Sequence, residues 1–306
     1  MTDFNFKVFL AVAKMNSFTR AAEFLNLSQP AVTHQIKNLE TMLRTKLFNR
    51  CQNKIFLTKS GDILLKYAEK MNTLYQGAMK EIQEVNNRVA GDVHIGAVSL
   101  LGKYLLPRVI GEFKKSHPEV TISMLVGNSK EIIEYLQNDV IELAVVSEPI
   151  PFKNLIAFPL YSDCLTIIVD TDHPWSRKKE ISPADLLDED CISREVGSGT
   201  REVYLKSLEA YVKGKQLKTV MVLGNTEAVK MAVIGKMGFA IVSRLATRSE
   251  VELGLLREIR IRNVNMSRNF FVAYKSEENL SVPALRMKEY LKSKKQEFDR
   301  LIFNRA

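Results

Sequence analysis

Residues 17–43 read SFTRAAEFLNLSQPAVTHQIKNLETML, and this stretch decides the fold of the N-terminal part of the chain. Ser17 or Thr19 can cap a short helix, because a side-chain oxygen placed just before a helix accepts a hydrogen bond from its first turn. After a short turn, Ser28 can cap a longer helix with Pro30 in its first turn, where a missing N–H removes no hydrogen bond. Two helices joined in this way predict a helix-turn-helix.

The second helix of this pair has one apolar face and one polar face. Ala31, Ile36 and Leu39 recur at helical spacing and should be buried. The opposite face carries side chains that donate or accept hydrogen bonds, namely Gln29, Thr33, His34 and Lys37. The major groove of B-DNA admits one helix and presents donors and acceptors on its base edges. The stretch is therefore predicted to bind double-stranded DNA, with a supporting helix over residues 4–14.

The distribution of charge is consistent with this interpretation. Residues 1–90 hold 13 Lys and Arg against 7 Asp and Glu, whereas residues 91–287 hold 25 of each. A local basic excess indicates a polyanionic partner, and a solvated basic surface is the alternative. Residues 47–58 alternate around a polar turn, which predicts a small β-hairpin, or wing, beside the helices. The candidate DNA-binding residues are Ser28, Gln29, Pro30, Thr33, His34, Lys37, Arg50 and Lys54.

A long helical run follows Gly61. Its apolar residues are separated by four and three residues alternately, which is the spacing of a coiled-coil seam. They are Leu64, Ala68, Met71, Tyr75, Ala78, Ile82 and Val85. A helix of this length needs a surface that buries its seam, so we expect it to pair with a second copy of the chain. Packing against its own chain is the alternative.

From Gly91 onward, short apolar strands alternate with amphipathic helices, which favours an α/β architecture with parallel sheets. The predicted strands are Val93–Val98, Val120–Val126, Leu143–Ser147, Leu165–Asp170, Val220–Leu223 and Phe239–Ser243. The predicted helices cover residues 103–116, 129–138, 200–213 and 226–236. Near-continuous connections around Tyr161–Leu165 and Arg268–Phe271 suggest two similar lobes joined by a pair of crossing strands.

Composition and motifs exclude several other classes of protein. No stretch approaches the roughly 20 consecutive apolar residues of a membrane helix, and residues 1–18 do not resemble a signal peptide. Cys51, Cys164 and Cys191 are too far apart for a disulfide framework or a metal site, which indicates a reduced, cytoplasmic compartment. The nucleotide-binding and hydrolase motifs that would indicate an enzyme are absent, and the four histidines are scattered.

Residues 6–61 resemble the N-terminal domain of LysR-type transcriptional regulators. The residues that carry the resemblance are Phe9, Val12, Ala13, Ser17, Phe18, Thr19, Ala21, Ala22, Leu25, the run from Leu27 to Thr33, Gln35, Ile36, Leu39, Glu40, Leu47, Phe48, Arg50, Leu57, Thr58 and Gly61. Two positions depart from the family pattern. Asn16 and Arg44 stand where the family usually has glycine, so those helix ends should be strained or differently capped.

The resemblance extends more weakly over the whole chain and implies its domain organisation. An N-terminal, all-α winged helix-turn-helix domain is expected at residues 1–60, followed by a linker helix for dimerisation at 61–89. A two-lobed α/β effector domain similar to periplasmic binding proteins is expected at 90–306. Lobe I should comprise residues 90–162 and 268–306, and lobe II residues 163–267. The resemblance also implies pairing of the effector domains, and hence a homotetramer.

Several junctions between strands and helices in the effector domain are rich in small polar residues. In open α/β sheets ligands bind beyond the carboxyl ends of the strands, and a helix N-terminus favours an anion. Each junction alone is weak evidence for a ligand site, because any helix start needs a capping residue. The candidate effector-binding residues are Ser99, Leu100, Asn128, Ser129, Ser147, Glu195, Ser198, Gly199, Thr200, Arg201 and Thr226.

Arg201 admits two interpretations, since a cation in the first turn of a helix opposes the helix dipole. It faces a bound oxyanion, or it forms a salt bridge with Glu195 or Glu202. The stretch from Ser193 to Arg201 also resembles the LysR-type subgroup that governs sulphur assimilation and carbon fixation. That resemblance implies a small inorganic or organic anion as the effector.

The sequence thus predicts a transcriptional regulator that senses a small molecule between two lobes, contacts DNA and possesses no catalytic residues. RNA polymerase is a further potential partner, and neither a cofactor nor a metal is expected. An exported solute receptor would share the two lobes but would need a signal peptide. A purely architectural DNA-binding protein would not need some 200 residues of binding-protein-like domain.

Overall fold

The computed structural model describes residues 4–51, 54–86, 89–147, 154–212, 214–295 and 297–298. The chain forms two compact units. The first comprises Met1–Val146, Ile150–Phe158 and Phe271–Ser293, and the second comprises Ser147–Pro149, Pro159–Phe270 and Lys294–Ala306. Within the described part of the chain, no helix combines the length and the apolar character that a bilayer-spanning segment requires.

The first unit begins with the predicted helix-turn-helix. Helix α1 covers Phe4–Met15, α2 covers Phe18–Leu25 and α3 covers Gln29–Leu43. Ser17, rather than Thr19, caps α2 by accepting a hydrogen bond from the backbone N–H of Arg20. In α3 the fully buried apolar residues are Val32, Ile36 and Leu39, whereas Ala31 is only half-buried. The prediction that Ala31 is fully buried is therefore wrong, because its neighbour Val32 takes that place in the core.

Three residues without the freedom of glycine adopt left-handed backbone conformations at the helix ends. The φ angles are 49° at Asn16, 53° at Asn26 and 53° at Arg44. Asparagine tolerates the left-handed region, but in an arginine the clash between Cβ and the backbone raises the energy of this conformation. The strained end predicted from the Arg44 position is therefore present, and the backbone N–H of Arg44 still caps α3 by donating to the carbonyls of Glu40 and Thr41.

The wing follows α3 directly. Strands β1 (Phe48–Cys51) and β2 (Lys54–Leu57) pair antiparallel, with Phe48 opposite Leu57. The ring of Phe48 lies 5.4 Å from that of Phe9 and 5.8 Å from that of Phe18, so the wing packs on the core of the helices. The buried aromatic cluster fixes the strand pair against α1 and α2.

Helix α4 (Lys59–Asn86) is the predicted linker helix, and its apolar surface changes along its length. Ala68 of the predicted seam is 2% exposed, and α4 packs against α1 of the same chain. This part of the seam is therefore buried by its own chain, which was the alternative to pairing with a second copy. Farther along, Met71 and Ile82 of the predicted seam are exposed, as is Leu74 at 75%. The exposed row also includes Ile63 and Tyr67, which the predicted seam omits. The side chain of Val85 lies outside the described residues.

The remainder of the first unit is α/β. Its elements are β3 (Gly91–Val98), α5 (Ser99–Tyr104), α6 (Leu106–Ser116), β4 (Val120–Gly127), α7 (Ser129–Gln137) and β5 (Leu143–Ser147). Strand β3 pairs in parallel with β4 and with β5. The helix predicted over 103–116 is split at Leu105, because the following Pro107 lacks the N–H that a continuous helix would use.

The second unit contains a mixed sheet covered on both faces. Its strands and main helices are β6 (Ile156–Asp170), β7 (Glu180–Ile181), β8 (Cys191–Arg194), α8 (Gly199–Val212), β9 (Thr219–Leu223), α9 (Thr226–Ile234), β10 (Phe239–Ser243), α10 (Arg248–Glu252), β11 (Leu256–Ile261) and β12 (Ser267–Tyr274). Successive residues of β6 enter different cores, with Ile167 in one and Ile168 in the other. This alternation gives the unit two apolar layers.

Strands β6 and β12 each contribute residues to both units, with the divisions after Phe158 and after Phe270. The short strands β8 and β11 were not predicted, because four and six residues with mixed polarity give little periodic signal. Helix α11 (Val282–Ser293), which returns to the first unit, was also missed.

Candidate DNA-binding and effector sites

The polar face of α3 has the exposure that a DNA-reading helix requires. Gln29, Pro30, His34 and Lys37 are exposed, and Thr33 is half-buried. The Thr33 hydroxyl donates to the Gln29 carbonyl at 3.0 Å, so its proton is already used and its oxygen remains an acceptor. His34 Nδ1 lies 3.3 Å from the side-chain amide of Asn38. The helix start is set by Ser28, whose hydroxyl accepts from the Ala31 N–H.

The wing residues are placed by their backbone alone. Arg50 pairs with Ile55 and Cys51 with Lys54 in the antiparallel register. The side chains of Arg50 and Lys54 lie outside the described part of the structure, so their contact with DNA stays a prediction.

A basic cleft lies at the carboxyl end of α3, which the sequence interpretation did not single out. It has a volume of about 500 Å³ and is lined by Lys37, Glu40, Thr41, Arg44, Thr45 and Lys46. The Glu40 carboxylate binds Lys46 at 2.8 Å and accepts hydrogen bonds from the backbone of the wing. Lys37 and Arg44 are exposed cations of the same cleft, which gives it positive electrostatic potential.

Three candidate effector residues, Ser99 and Asn128 of the first unit and Ser147 of the second, lie at the ends of parallel strands. Val98 pairs with Gly127, so Ser99 and Asn128 follow neighbouring strand ends on one edge of the sheet. Ser147 is the last residue of β5, which pairs with β3. Asn128 is occupied by a capping box, because its side chain accepts from the Glu131 N–H at 3.0 Å. Its structural role as a helix cap is therefore evident.

In the second unit an arginine holds several candidates together. Arg194 ends β8 and donates to both carboxylate oxygens of Glu195, at 2.6 and 2.7 Å. It also donates to the Thr226 hydroxyl at 2.7 Å. Hydrogen bonding by Arg194 lowers the pKa of Glu195. Sequence reasoning missed Arg194, although an arginine directly before a candidate loop was the available signal.

The ion pair between Arg194 and Glu195 bears on which of the two interpretations of Arg201 applies. Glu195 is engaged by Arg194, and no carboxylate among the described residues forms an ion pair with Arg201. The salt bridge from Arg201 to Glu195 or Glu202 is therefore not formed. The partly exposed Arg201 lies beside the Tyr204 hydroxyl, which hydrogen-bonds Ser193 at 2.7 Å.

The N-terminus of α8 presents several groups suited to an anion. Ser198 and Thr200 are each 7% exposed, and within the described ranges neither hydroxyl has a hydrogen-bond partner. The first N–H used by the helix is that of Glu202, which donates to the Ser198 carbonyl at 3.0 Å. The preceding N–H groups of the first turn have no partner within the helix, and the helix dipole adds positive potential there.

A buried ion pair that the sequence interpretation also missed lies close to this turn. Arg268 Nε donates to Asp163 Oδ2 at 3.1 Å, and Ser243 donates to Asp163 Oδ1 at 2.6 Å. Burial raises the pKa of Asp163, against the opposing effect of Arg268. The residues are 105 positions apart, which leaves no local sequence signal for the pair.

The remaining reactive side chains give no sign of a metal or redox site. Within the described ranges, no three His, Cys, Asp or Glu residues are grouped closely enough to hold a metal ion. Burial raises the pKa of the Cys164 thiol and raises that of Cys191 to about 12. A thiol with so high a pKa stays protonated at neutral pH and is a poor nucleophile.

The chain belongs to the LysR family of transcriptional regulators. Residues 5–62 match the bacterial regulatory helix-turn-helix protein of the lysR family, and residues 86–296 match the LysR substrate binding domain. The winged helix-turn-helix and the α/β effector domain predicted from sequence are thereby confirmed. The family and its named members are transcriptional regulators, not enzymes.

Similar proteins include regulators of carbon fixation. A probable RuBisCO transcriptional regulator of Phaeodactylum tricornutum is 34% identical over 275 residues, which covers 89% of this chain and 90% of the relative. The HTH-type transcriptional regulator CysL of Bacillus subtilis is 34% identical, with 85% of each chain covered. The regulatory domain of CcmR from Synechocystis PCC6803, solved in complex with 2-PG, is 30% identical with a TM-score of 0.61. That match covers 67% of this chain and 98% of the domain. These relatives are consistent with the predicted subgroup of carbon fixation and sulphur assimilation.

Proposed function

We propose that this regulator senses a small anionic metabolite and alters transcription of genes whose operator is read by α3. The N-terminus of α8 is the observation that carries the proposal, because two largely buried residues, Ser198 and Thr200, place hydroxyls without a partner in the described chain beside free backbone N–H groups and Arg201. A phosphate or carboxylate would satisfy these donors. The complex of the CcmR regulatory domain with 2-PG supports an anion of this kind.

The proposed effector-binding residues are those selected from the sequence, and Arg194 supports two of them. They are Ser99, Leu100, Asn128, Ser129, Ser147, Glu195, Ser198, Gly199, Thr200, Arg201 and Thr226. Within this set Ser198, Thr200 and Arg201 have direct contacts with the anion as their proposed role. Glu195 and Thr226 are held by Arg194 and serve to fix the loop.

The proposed DNA-binding residues are Ser28, Gln29, Pro30, Thr33, His34, Lys37, Arg50 and Lys54. Gln29, Thr33 and His34 would meet base edges, while Lys37 and the wing would meet phosphates. The exposed apolar row of α4 supports a homodimer through the linker helix, since Met71, Leu74 and Ile82 have no cover within the described chain. Two such helices would place two recognition helices on the half-sites of a pseudo-palindrome.

A homotetramer and a contact with RNA polymerase in the cytoplasm complete the proposed mechanism. The effector would shift the regulator between two states that differ in DNA bending and in access for polymerase. Such a shift requires that the anion bind one state more tightly than the other.

Titration calorimetry on the full chain tests the effector. The probes are 2-phosphoglycolate, sulfate, sulfite and phosphate, and Ser198→Ala is the diagnostic variant. We expect one probe to bind, and Ser198→Ala to bind it more weakly, because a hydroxyl donor to the anion is lost. Ser249→Ala, at an exposed serine of α10 in the same unit, is the matched control. Absence of binding by every probe would defeat the proposal. Operator binding without any ligand-dependent change in footprint would instead indicate an architectural role.

A further inference from the structure

Arg268 is buried with few of its donors in use. Its side chain is 9% exposed, and the Asp163 side chain facing it is fully buried. A guanidinium has five N–H donors. Within the described ranges it forms one hydrogen bond, from Nε to Asp163. Nη2 lies 3.0 Å from the same carboxylate but at an angle that gives no hydrogen bond. A buried cation that leaves donors open is costly unless a further acceptor reaches it.

The open side of the guanidinium lies next to α8. A β-carbon built on Gly199, the first residue of α8, would lie 3.5 Å from Arg268 Nη1. Gly199 stands between Ser198 and Thr200, two residues that are each 7% exposed and whose hydroxyls have no partner within the described chain. The helix dipole and Arg268 therefore place positive potential on the same small volume. Two such groups repel each other in the absence of an anion.

Arg268 is also held firmly in this position. Asp163 fixes Nε, and Ser243 in turn fixes Asp163 at 2.6 Å. The guanidinium carbon lies 5.0 Å from the centre of the Phe270 ring, which supports the planar group by stacking. A donor oriented in advance loses little conformational entropy when a ligand binds. Asp163 thus acts as a positioning residue that leaves Nη1 free.

We infer that Arg268 is an effector-binding residue, which donates from Nη1 to an anion seated at the N-terminus of α8. The inference rests on the proposed function and adds a second arginine to Arg201. Asp163 and Arg268 lie on β6 and β12, the two strands that contribute residues to both units. An anion held by Arg268 therefore contacts a strand that continues into the other unit. Binding of the anion therefore involves β12, one of the two strands that contribute residues to both units.

Calorimetry on the full chain with 2-phosphoglycolate, sulfate, sulfite and phosphate tests the inference. The double variant Asp163→Asn/Arg268→Gln replaces the ion pair with two neutral groups that can still hydrogen-bond, so no unpaired charge is buried. We expect the anion that binds the wild type to bind the double variant about tenfold to a hundredfold more weakly, the usual effect of losing a charged hydrogen bond. Thermal unfolding monitors whether the variant is folded.

Gly199→Ala gives a second test that does not remove the ion pair. Its methyl group would lie at an ordinary contact distance from Nη1 and would stand between the guanidinium and the anion. We expect roughly tenfold weaker binding with an unchanged melting temperature. Gly111→Ala is the control, because a β-carbon there meets nothing within 4 Å. Should the double variant not fold, Gly199→Ala decides the outcome.

The two hypotheses fail in different ways. If the wild type binds none of the anions, the proposed effector and the role of Arg268 are both wrong. If Ser198→Ala weakens binding while the double variant and Gly199→Ala bind as tightly as the wild type, the effector site stands and Arg268 is only structural.

Discussion

The carboxylate of Glu40 accepts a hydrogen bond from the backbone N–H of Leu47 at 2.9 Å, and this contact joins α3 to the wing. The same carboxylate binds Lys46 at 2.8 Å. Glu40 is 9% exposed although it is charged, so these donors offset the cost of its burial. The recognition helix and the wing are therefore linked through a single side chain.

Replacement of Glu40 should loosen the wing and change the pH dependence of stability. Burial alone would raise the pKa of Glu40, but hydrogen bonds from Lys46, Leu47 and Phe48 outweigh it and lower the pKa below 4.5. The stabilisation of the folded state by the Glu40 carboxylate is thus present above pH 4.5, and it is lost as the pH falls through the lowered pKa. Glu40→Ala leaves the Leu47 N–H unpaired and should cost about 1–3 kcal/mol.

Urea unfolding of the full chain across pH and hydrogen exchange at Leu47 measure this effect. Glu23→Ala, an exposed carboxylate on α2, is the control and should change little. Unchanged protection of the Leu47 amide in Glu40→Ala would show that the carboxylate does not hold the wing.

Arg44→Gly should stabilise the N-terminal domain and weaken DNA binding at the same time. The φ of 53° at Arg44 is strained for an arginine but not for glycine. Relief of this strain, minus the conformational entropy that glycine loses on folding, should raise the free energy of unfolding by about 0.5–1 kcal/mol. Loss of a cation from the basic cleft should lower the affinity for DNA. Asn26→Gly, at the same φ, should gain less because asparagine tolerates this conformation. A less stable Arg44→Gly protein would contradict the strain argument.

Variants of α3 should separate phosphate contacts from base contacts. Lys37→Ala should weaken binding to all DNA sequences alike and reduce the slope of log affinity against log salt by about 1. His34→Ala should instead reduce the preference for the operator over unrelated DNA. Binding curves at several salt concentrations measure both effects. Lys103→Ala, an exposed lysine on α5, is the control. Identical behaviour of His34→Ala and wild type would remove His34 from the reading face.

Leu74→Lys should disrupt the proposed dimer. Leu74 is 75% exposed in the middle of the apolar row of α4, and a charge there cannot be buried against a second helix. The mass measured by light scattering should fall, and operator affinity should fall with it. Thr73→Lys places the same charge on the neighbouring, polar face of α4 and should leave the mass unchanged. A Leu74→Lys protein of wild-type mass would place the dimer contact elsewhere.

Local sequence signals predicted the N-terminal domain well because its elements are stabilised by residues close together in the chain. Ser28 caps the helix that begins at the next residue, and the wing strands are separated by a short turn. The linker helix was predicted too, but only part of its exposed apolar face was. Which residues of α4 are covered depends on how α1 packs on Ala68, and periodicity alone does not contain that information.

The residues of the proposed effector site are only partly marked in the sequence, and those that sequence reasoning missed share a cause. Ser198, Thr200 and Arg201 lie in a loop and helix start with a recognisable local pattern. Arg268 and Asp163 are ordinary charged residues in strands, and nothing next to them in the sequence marks them. They become neighbours only when β6 and β12 join the same sheet.

The sequence by itself determined the helix-turn-helix, the wing, the linker helix and the α/β character of the rest, because capping and periodicity act over a few residues. Tertiary structure alone decided that Glu195 pairs with Arg194 rather than Arg201, and that Glu40 binds the wing. It also decided that Arg268 is buried with open donors beside Gly199. The contacts of Glu40 and Arg268 depend on which strands and helices meet, because a buried charged group requires a partner that the fold brings to it.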